Sequence, residues 1–538
     1  MSEIINVPVV VVGAGPVGVT IANLLGVYQV ETLVLERSLD IFNFPRAVGL
    51  DDEALRTLQS ANLVDSMLKD MIQNVPMRMY TADKKCIAEI LPSTKEFGWF
   101  RRNLFSQPLA EATMREGLEK YPHVTLKVGQ EVEQLEQDDT GVTLQVKDEA
   151  GKTYTVRTQY VIGADGGRST IREKILKLSF EGKTHPHKWV VIECDDDPLD
   201  APYTALHCEP DRPYVCLRLP YGLRRWEFML FPGEDGEQML QPEKVNELLG
   251  KHVENPEALN VIRARVYTHN SRVAGTFVKG RVCIAGDAAH LTPPWIGQGL
   301  NAGMRDACNL AWKVAYIVQG KIKPGLLESY DQERHEHAKA MIDLADTFGS
   351  MLSQTNKAIA KMRDLFLLTF GQIPKVKDYV LQMKFKPMPR YSKGIVINSG
   401  NKQQDSLVGK MFIQPLVEME NNMTVKLDDV LGKGFALISW HQDAISGLPE
   451  VIKKGLKQID CSFIVADRMR SNTAEKLKKS VSSDVDVVED TENALHFWFQ
   501  NAGVDWVLVR PDRYVAALGK KEETVQVLES FVDQFVAA

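Results

Sequence analysis

The sequence predicts an α/β protein with a parallel-strand unit, an inserted antiparallel sheet and a small final module. Three observations support this. A buried-strand pattern at Ile4–Val12 runs through glycines into a helical pattern and a second strand at Thr32–Leu35. Four short strand patterns, separated by proline and glycine, lie between residues 189 and 231. A polar stretch at residues 398–406 precedes a further alternation of strands and helices.

Composition and charge exclude several classes of protein. The chain has 538 residues, of which 44% are hydrophobic and 25% charged, so a disordered, collagen-like or coiled-coil chain is excluded. Lys and Arg number 64 against 71 for Asp and Glu, which gives a net charge of −7. This balance offers no basic surface for nucleic acid and no polybasic tract for lipid. We therefore expect neither a nucleic acid nor a membrane as partner.

The cysteines and the N-terminus indicate a cytoplasmic protein. The seven cysteines are odd in number and none form a CxxC pair, which argues against a disulfide framework and against a zinc site. We expect no metal. The segment Met1–Val12 contains Glu3, has no basic region and leads into glycines, so it does not resemble a signal peptide. No stretch reaches the roughly 20 apolar residues of a membrane-spanning helix.

The remaining elements follow in order from their periodicity. We expect an antiparallel meander over Val124–Val156 and a separate buried strand at Tyr160–Ala164. The inserted sheet takes the runs Trp189–Cys194, Tyr203–His207, Tyr214–Leu219 and Trp226–Phe231. Long helices are predicted at Asn301–Ile317 and Leu326–Met341. The final module takes strands at Phe435–Trp440, Phe463–Ala466 and Trp506–Val509, and a helix at Glu492–Asn501.

A glycine motif at the end of the first strand predicts dinucleotide binding. Its members are Gly13, Gly15, Pro16 and Gly18. Glycine allows the tight turn at the first position, approach of the backbone to a pyrophosphate at the second, and close helix–strand packing at the third. The following helix N-terminus offers N–H groups to phosphate oxygens. Glu36, at the end of the second strand, can accept hydrogen bonds from a ribose, and we place Arg37 in the same site. The motif alone does not separate FAD from NAD.

Two further motifs reveal a family resemblance. One is Gly163-Ala-Asp165-Gly-Gly-Arg-Ser169, and the other joins Gly286-Asp287-Ala-Ala-His290 to Pro293-Pro294 and Gly297-Gln298-Gly299-Leu300-Asn301. Together with the first motif they resemble the single-component flavoprotein aromatic hydroxylases. The resemblance implies a GR2-type, Rossmann-like FAD-binding domain with an inserted antiparallel β-sheet substrate domain, and a thioredoxin-like C-terminal domain.

The resemblance also implies roles for individual residues around FAD. Asp287 can accept hydrogen bonds from ribityl hydroxyls, and the backbone from Gly297 to Asn301 can face the flavin pyrimidine. Arg46 matches an arginine at the pyrophosphate, and Gln107 a glutamine at the ribityl–phosphate region. The remaining residues assigned to the cofactor are Arg102, Asp165, Gly286 and Pro294. For Asp165 a structural cap is an equal alternative, and for His290 ordinary packing is favoured over a role as base.

Within this family the chain is most similar to the 3-(3-hydroxyphenyl)propionate/3-hydroxycinnamate hydroxylases. The similarity implies an FAD-binding domain at 1–182 and 270–345, a substrate domain at 183–269, a helical connection at 346–400 and a thioredoxin-like domain at 401–538. The last domain has no CxxC pair, so we assign it no redox role. The similarity further implies a homodimer. The sequence departs from its relatives at Pro294-Trp295-Ile296, beside a flavin motif.

The resemblance implies oxygen insertion into a phenol. NADH or NADPH reduces FAD, O2 adds at flavin C4a, and the hydroperoxide hydroxylates the carbon ortho to the phenol hydroxyl. Because a phenol has a pKa of about 10, a nearby acceptor must assist loss of its proton at neutral pH. Asp51 is the first candidate for that base, Asp52 is the neighbouring alternative, and Tyr267 and His269 are candidates for hydrogen bonding to the hydroxyl.

The substrate carboxylate requires a cation, and the sequence offers several. Arg218, Arg224, Arg225 and Arg265 are available, and the sequence does not choose among them. Trp295 is a further candidate for the substrate pocket. The alternatives that stay open are the same chemistry on resorcinol, a hydroxybenzoate or a polyketide phenol, a flavin dehydrogenase without oxygen insertion, and a non-catalytic FAD-binding protein.

Overall fold

The computed structural model describes residues 4–43, 46–398, 400–440, 447–468 and 485–537. The strands are β1 (Ile4–Val12), β2 (Thr32–Glu36), β3 (Gly49–Leu50), β4 (Met71–Gln73), β5 (Met77–Tyr80), β6 (Cys86–Ile90), β7 (Asn103–Phe105), β8 (Val124–Val128), β9 (Glu131–Gln137), β10 (Val142–Lys147), β11 (Thr153–Gly163), β12 (Phe180–Cys194), β13 (Thr204–His207), β14 (Tyr214–Arg218), β15 (Arg224–Met229), β16 (Val261–Ala274), β17 (Val278–Lys279), β18 (Val282–Ile284), β19 (His290–Leu291), β20 (Leu416–Glu418), β21 (Thr424–Lys426), β22 (Ala436–Trp440), β23 (Ser462–Arg468), β24 (Val485–Asp490), β25 (Trp506–Val509) and β26 (Val515–Gly519).

The α-helices lie between these strands and at the end of the chain. They are α1 (Pro16–Val27), α2 (Asp52–Ser60), α3 (Val64–Leu68), α4 (Gln107–Gly117), α5 (Pro242–Leu249), α6 (Gly299–Val318), α7 (Ser329–Leu352), α8 (Lys357–Phe370), α9 (Pro374–Leu381), α10 (Lys402–Asp405), α11 (Leu427–Leu431), α12 (Glu450–Gln458), α13 (Ala494–Ala502) and α14 (Thr524–Phe535). Among the described residues, no helix is both long and apolar enough to cross a bilayer.

The first sheet confirms the predicted strand–helix–strand unit. β1 lies at its centre, with β2 and β11 parallel to it on either side, and β18 continues the sheet beyond β11. Val9, Val10 and Val11 are fully buried, because elements cover both faces of this sheet. α1 and α6 pack together. The carboxyl ends of β1 and β11 therefore present their glycines at one edge of the sheet.

Two predictions in this region were wrong. Thr153–Val156 and Tyr160–Ala164 are not separate runs, since β11 is continuous from Thr153 to Gly163. Its buried Thr158 interrupts the apolar pattern, but the hydroxyl donates to the Pro8 carbonyl at 2.9 Å. The first strand of the predicted meander, β8, instead pairs parallel with β2 at the sheet edge, and only β9, β10 and β11 are antiparallel neighbours.

The second sheet contains the four predicted antiparallel strands and four more. Its order is β19-β16-β12-β15-β14-β13-β5-β6. The 14-residue β16 pairs with β12 along most of its length, although its alternating sequence was not singled out as a strand. β5 and β6 come from the N-terminal part, and β13 pairs parallel with β5. The domain boundaries at 183 and 269 stay predictions, and the sheet itself extends beyond them.

The C-terminal sheet has the thioredoxin-like order. β22 lies between the parallel β23 and the antiparallel β25, with β26 outside β25, and α12 connects β22 to β23. The edge strand β24 is added beside β23. The segment 398–406, predicted as a polar linker, contains the short helix α10. The order and direction of β22, β23, β25 and β26 confirm the predicted fold of the last domain.

Buried ion pairs join the C-terminal module to the flavin-motif helices. The guanidinium of Arg510, which follows β25, donates to both carboxylate oxygens of Glu333 on α7 at 2.8 and 2.7 Å. Glu333 also accepts from Lys313 on α6 at 2.7 Å, and Arg510 pairs with Asp512 at 2.6 Å. All four side chains are completely buried. α6 and α7 are therefore held to the last sheet by charges without access to water.

Candidate active site

The first glycine motif forms a tight turn that tolerates no side chain at two of its three glycines. A Cβ on Gly13, which has a φ of +104°, would lie 2.4 Å from the Ala164 carbonyl oxygen, and one on Gly18 would lie 2.0 Å from the Gly13 oxygen. A Cβ on Gly15 would meet nothing within 4 Å. The open space beside Gly15, at the N-terminus of α1, is therefore where a pyrophosphate could approach the backbone.

Glu36 holds the same turn from the end of β2. Its carboxylate accepts hydrogen bonds from the backbone N–H of Ala14 at 2.7 Å and of Ser38 at 2.8 Å. Glu36 and Arg37 both border the cavity beside the motif. A carboxylate has further lone pairs, so Glu36 can accept from a ribose hydroxyl while it holds Ala14.

The second motif places Asp165 as a cap. Its Oδ2 accepts from the N–H of Ile171 at 3.1 Å, at the start of a π-helical turn spanning Ile171–Ile175. Burial raises the pKa of this carboxyl. Asp165 also borders the cavity, so the contacts support the structural-cap alternative without removing the side chain from the site.

The third motif forms the floor of the cavity at the N-terminus of α6. Gly297 has a φ of +63°, a left-handed conformation that favours glycine. Asn301 then fixes the loop, because its Nδ2 donates to the Gly297 carbonyl at 2.6 Å and its Oδ1 accepts from the N–H of Asp51 at 3.0 Å. Gln298, Gly299 and Leu300 border the cavity, where the first N–H groups of the helix can face an anion.

Gln107 and the two arginines lie along the same cavity. Gln107 Oε1 accepts from the N–H groups of Arg46 and Ala47, both at 2.8 Å, so it positions the loop that carries Arg46. The Arg46 guanidinium is half exposed and lies 3.8 Å from Asp287. Arg102 donates to the Val75 carbonyl at 3.0 Å, and burial lowers its pKa to about 10.

These groups converge on one cavity of about 1280 Å³. Of the residues predicted to hold the cofactor, Gly18 and Gly286 do not border it. They act by close packing instead, since a Cβ on Gly286 would lie 2.9 Å from Val17. A volume above the usual 300–1,000 Å³ of small-molecule sites leaves room for a dinucleotide and a second ligand. The glycine turns, the helix N-termini and the flanking carboxylates fit FAD.

The substrate end of the cavity contains Tyr267 and His269 of β16. Burial raises the pKa of Tyr267 and lowers that of His269 to about 3, so both side chains are neutral at pH 7. The His269 ring stacks on Trp189 at 5.7 Å and meets the Trp295 ring edge-on at 4.9 Å. These side chains can exchange hydrogen bonds with a hydroxyl but carry no charge to it.

The structure separates the four candidate arginines. Arg225 and Arg265 border the cavity, whereas Arg218 and Arg224 do not. Arg218 is half exposed, 3.8 Å from Asp197, and the buried Arg224 is paired with the same carboxylate. Arg225 is 3% exposed and bonded to Glu227 at 2.9 Å. Arg225 and Arg265 are therefore the two of the four candidate arginines that a ligand in the cavity could reach.

Asp51 belongs to a buried ion network that the sequence did not indicate. Its Oδ1 caps α2 by accepting from Ala54, and its Oδ2 accepts from Arg305 at 2.5 Å and Lys386 at 2.8 Å. Both cations also bond to Glu53. Burial alone would raise the pKa of Asp51, but Arg305 and Lys386 lower it. Its neighbour Asp52 bonds directly to neither cation, and burial raises its pKa to about 7 although the nearby charges of Lys386 and Arg101 oppose this.

This network acts on the flavin-motif loop. Arg305 lies two turns into α6 and donates to Gln298 Oε1 at 3.2 Å, while Gln298 Nε2 donates to Asp51 Oδ2 at 3.4 Å. The acidic run at 51–53 and the spacing of Arg305 from Gln298 were visible in the sequence, but Lys386 lies more than 300 residues away in the chain. The contacts give Asp51 a clear structural function, and its role as base stays a prediction.

Comparison with known proteins agrees with this geometry. A family model described as FAD binding domain matches residues 6–345, and one described as HcaD C-terminal domain matches residues 409–534. A 3-(3-hydroxy-phenyl)propionate/3-hydroxycinnamic acid hydroxylase of Burkholderia vietnamiensis is 50% identical over 509 residues, covering 95% of this chain and 93% of its own. The chain belongs to the family of FAD-dependent aromatic hydroxylases. The predicted resemblance is confirmed, and FAD is its cofactor.

Other relatives and solved structures extend this finding. An Escherichia coli hydroxylase of the same description is 44% identical over 513 residues, covering 95% of this chain and 92% of its own. The flavin-dependent monooxygenase PieE, solved with FAD and substrate, superposes with a TM-score of 0.79 at 21% identity, covering 98% and 99% of the two chains. p-Nitrophenol 4-monooxygenase PnpA from Pseudomonas putida gives 0.66 at 26% identity, covering 71% of this chain and 98% of its own. The fold is that of flavin monooxygenases.

Proposed function

We propose that this enzyme hydroxylates 3-(3-hydroxyphenyl)propionate or 3-hydroxycinnamate at the ring carbon ortho to the hydroxyl, with NADH or NADPH and O2 as co-substrates. The observation that carries the proposal is the 50% identity, over 95% of the chain, to hydroxylases named for these two acids. The geometry supports it, because the cavity joins a flavin loop to an aromatic wall and to two arginines.

FAD, when bound, accepts a hydride from the nicotinamide and activates O2 for insertion into the ring. The chain's part is to position both ligands. The turn at Gly13–Gly18 would hold the pyrophosphate, and the first amides of α6 would stabilise negative charge on the flavin. Arg225 or Arg265 binds the acid side chain of the substrate, ideally by paired hydrogen bonds. The phenol hydroxyl then reaches Tyr267 or His269 on β16.

The apolar wall excludes water from the reacting atoms. Met77, Leu206, Trp295 and Met383 border the cavity and form one apolar cluster with Trp189, on which His269 stacks. Such a lining removes competing solvent and strengthens each hydrogen bond to the substrate. The apolar lining thus favours transfer of the activated oxygen to the substrate ring over reaction with water.

A steady-state assay tests the proposed substrate. We expect purified enzyme to contain FAD and to oxidise NADH faster when 3-(3-hydroxyphenyl)propionate or 3-hydroxycinnamate is added, with the 2,3-dihydroxy acid as product. Resorcinol, 3-hydroxybenzoate and a polyketide phenol serve as comparison substrates. Faster coupled turnover with one of these three would contradict the substrate assignment, and no stimulation by any phenol would contradict the hydroxylase function.

We also propose that the enzyme is a cytoplasmic homodimer. All seven cysteines are free thiols, which suits a reducing compartment. Helix α8 and the turn before α9 expose large apolar side chains, 44–71% of each: Ile359, Met362, Leu365, Phe366, Phe370 and Ile373. An exposed apolar face of this kind is typical of a protein–protein interface. A second copy of the chain would cover this face.

Sedimentation equilibrium tests the dimer. We expect wild-type enzyme to be dimeric, and Phe366→Glu to be monomeric with unchanged FAD content, because a charge at the centre of an apolar interface cannot be solvated. Val451→Glu is the matched control, since Val451 is 79% exposed on α12 of the C-terminal module. A monomeric wild type, or a Phe366→Glu protein that stays dimeric, would contradict this proposal.

A further inference from the structure

Trp295 lies where the flavin-motif loop meets both the substrate sheet and α7. It belongs to a short 3-10 turn, Pro294–Ile296, directly before Gly297. Its ring is 9% exposed, borders the cavity, and packs edge-on against Trp189 at 4.8 Å and His269 at 4.9 Å. Trp295 is therefore part of the wall that a substrate ring contacts.

Gly349 of α7 provides the space behind this indole. A Cβ on Gly349 would lie 2.2 Å from Trp295 Nε1, 2.4 Å from Cδ1 and 2.6 Å from Cε2. Side-chain atoms do not approach this closely, so any other residue at 349 would move the indole away from α7. The helical backbone of Gly349 has no conformational need for glycine, since its φ is not among the positive ones. The glycine is thus explained by the indole.

The surroundings leave the indole one direction in which to move. Trp189 and His269 occupy its sheet side, and the neighbouring Ile296 is held in a cluster with Met341 and Ala345 of α7. The remaining side is the cavity, whose lining includes Leu206 and Met383 from the same apolar cluster as Trp295. A displaced Trp295 would therefore enter the space of the substrate.

We propose that Trp295 and Gly349 act as one specificity-determining unit that limits the size of the phenol ring accepted beside the flavin loop. The inference rests on the proposed function for the identity of the substrate. It assigns Gly349, which lies outside the cavity wall, a role in selectivity through Trp295, and it predicts preference for single-ring phenols without a bulky substituent on this side.

A double-mutant cycle tests the unit. The proteins are wild type, Gly349→Ala, Trp295→Phe and the double variant, each assayed with 3-(3-hydroxyphenyl)propionate and with its ring-methylated analogues. Gly349→Ala should lower kcat/KM for the methylated acids relative to the parent by about 10- to 200-fold, the usual effect of one methyl group in a tight pocket. Trp295→Phe should shift the ratio in the opposite direction. The double variant should resemble Trp295→Phe, because the smaller ring leaves room for the new Cβ.

Controls separate selectivity from folding. FAD content and flavin absorbance should stay at wild-type values in every variant. Gly325→Ala, whose Cβ would meet nothing within 4 Å, should leave the ratio of kcat/KM for the methylated acids to that for the parent acid unchanged. If Gly349→Ala does not fold, Trp295→Phe and Trp295→Leu carry the test through their raised ratio. Well-folded variants with an unchanged ratio, or strictly additive effects, would overturn the proposal.

The outcome stays distinguishable from failure of the proposed function. Binding of phenolic acids can be followed by the perturbation of the flavin absorbance without turnover. If wild type hydroxylates neither acid, the substrate assignment fails, yet the dissociation constants of aromatic ligands of increasing size still report on the unit. If substitutions at 295 and 349 leave the dependence of the dissociation constant on ligand size unchanged, the proposed unit of Trp295 and Gly349 would be overturned.

Discussion

The pKa values of neighbouring carboxylates in this site differ because different cations bond to them. Asp51 and Asp52 are adjacent and equally buried, yet the pKa of Asp51 is lowered and that of Asp52 is raised to about 7. Arg305 and Lys386 both bond to Asp51, whereas the nearest cation to Asp52 is Arg101 at 3.3 Å. Arg305 and Lys386 therefore favour the ionised form of Asp51, which holds the α6 loop, and the lowered pKa makes this carboxylate a weaker proton acceptor.

Asp51→Asn tests both views of this residue. We expect the variant to retain FAD but to release more hydrogen peroxide per NADH, because the amide cannot hold Arg305, Lys386 and Gln298 together. The measurement is the ratio of hydroxylated product to NADH consumed across pH 6–9. A direct base would add a change in the pH dependence of hydroxylation, whereas a positioning residue would lower coupling equally at each pH. Asp65→Asn, on the exposed face of α3, is the control, and full coupling in Asp51→Asn would contradict both roles.

At the scale of elements, the strand–turn–helix unit around Gly13 separates packing from binding. Gly18→Ala places a Cβ 2.0 Å from a backbone oxygen, while the equivalent atom at Gly15 meets nothing. We therefore expect Gly18→Ala to lower the thermal midpoint of the FAD-free protein. Gly15→Ala should leave that midpoint unchanged and weaken FAD binding at least tenfold, because its Cβ fills the space of the pyrophosphate. Equal effects of the two variants on the FAD-free protein would contradict this division.

The sequence predicted local elements well and long-range pairing poorly. The glycine turns and the buried strands β1 and β2 carry their own periodicity and steric requirements, so they were visible without tertiary context. Strand partners are not encoded locally, which explains why β8 was assigned to a meander and why the union of β5 with β13 was not predicted. Thr158 divided one strand into two because its hydroxyl partner, the Pro8 carbonyl, is 150 residues away.

In the site, too, local motifs were predictable from the sequence and contacts between distant segments were not. Backbone-level cofactor residues were found from motifs, and all but Gly18 and Gly286 border the cavity. Two residues that support the site come from distant segments and have no motif of their own: Lys386, after α9, bonds to Asp51, and Gly349, on α7, lies behind Trp295. Four arginines were indistinguishable in the sequence, since only the sheet decides that Arg225 faces the cavity and Arg224 does not.

At the scale of the whole molecule, charges without access to water join the C-terminal module to the flavin helices. Removing one member of such a network leaves its partners buried and unpaired, which costs about 3–5 kcal/mol. We therefore expect Arg510→Met to lower the thermal midpoint strongly and to loosen FAD, since Glu333 and Lys313 hold α7 and α6. Lys244→Met, which removes an exposed pair with Glu247, should leave the midpoint unchanged. A wild-type midpoint in Arg510→Met would contradict this coupling.

The same interface predicts how stability depends on pH. Burial would raise the pKa of Glu333, but Arg510 and Lys313 lower it to about 2 in the folded protein, against about 4.3 when unfolded. A lowered folded pKa gives stability that is complete above the unfolded value and is lost as pH falls toward 2. The free energy of unfolding should therefore decrease from pH 5 to pH 2, and less steeply in Glu333→Gln. Identical slopes for the two proteins would show that Glu333 does not contribute to the pH dependence of the free energy of unfolding.

In this enzyme one cavity is expected to join FAD to a phenolic acid for oxygen insertion. The most direct measurement is the mass of the product formed by purified enzyme from 3-(3-hydroxyphenyl)propionate and NADH under ¹⁸O2. We predict 2,3-dihydroxyphenylpropionate carrying one ¹⁸O atom. Product without the label, or NADH consumption that yields only hydrogen peroxide, would contradict it.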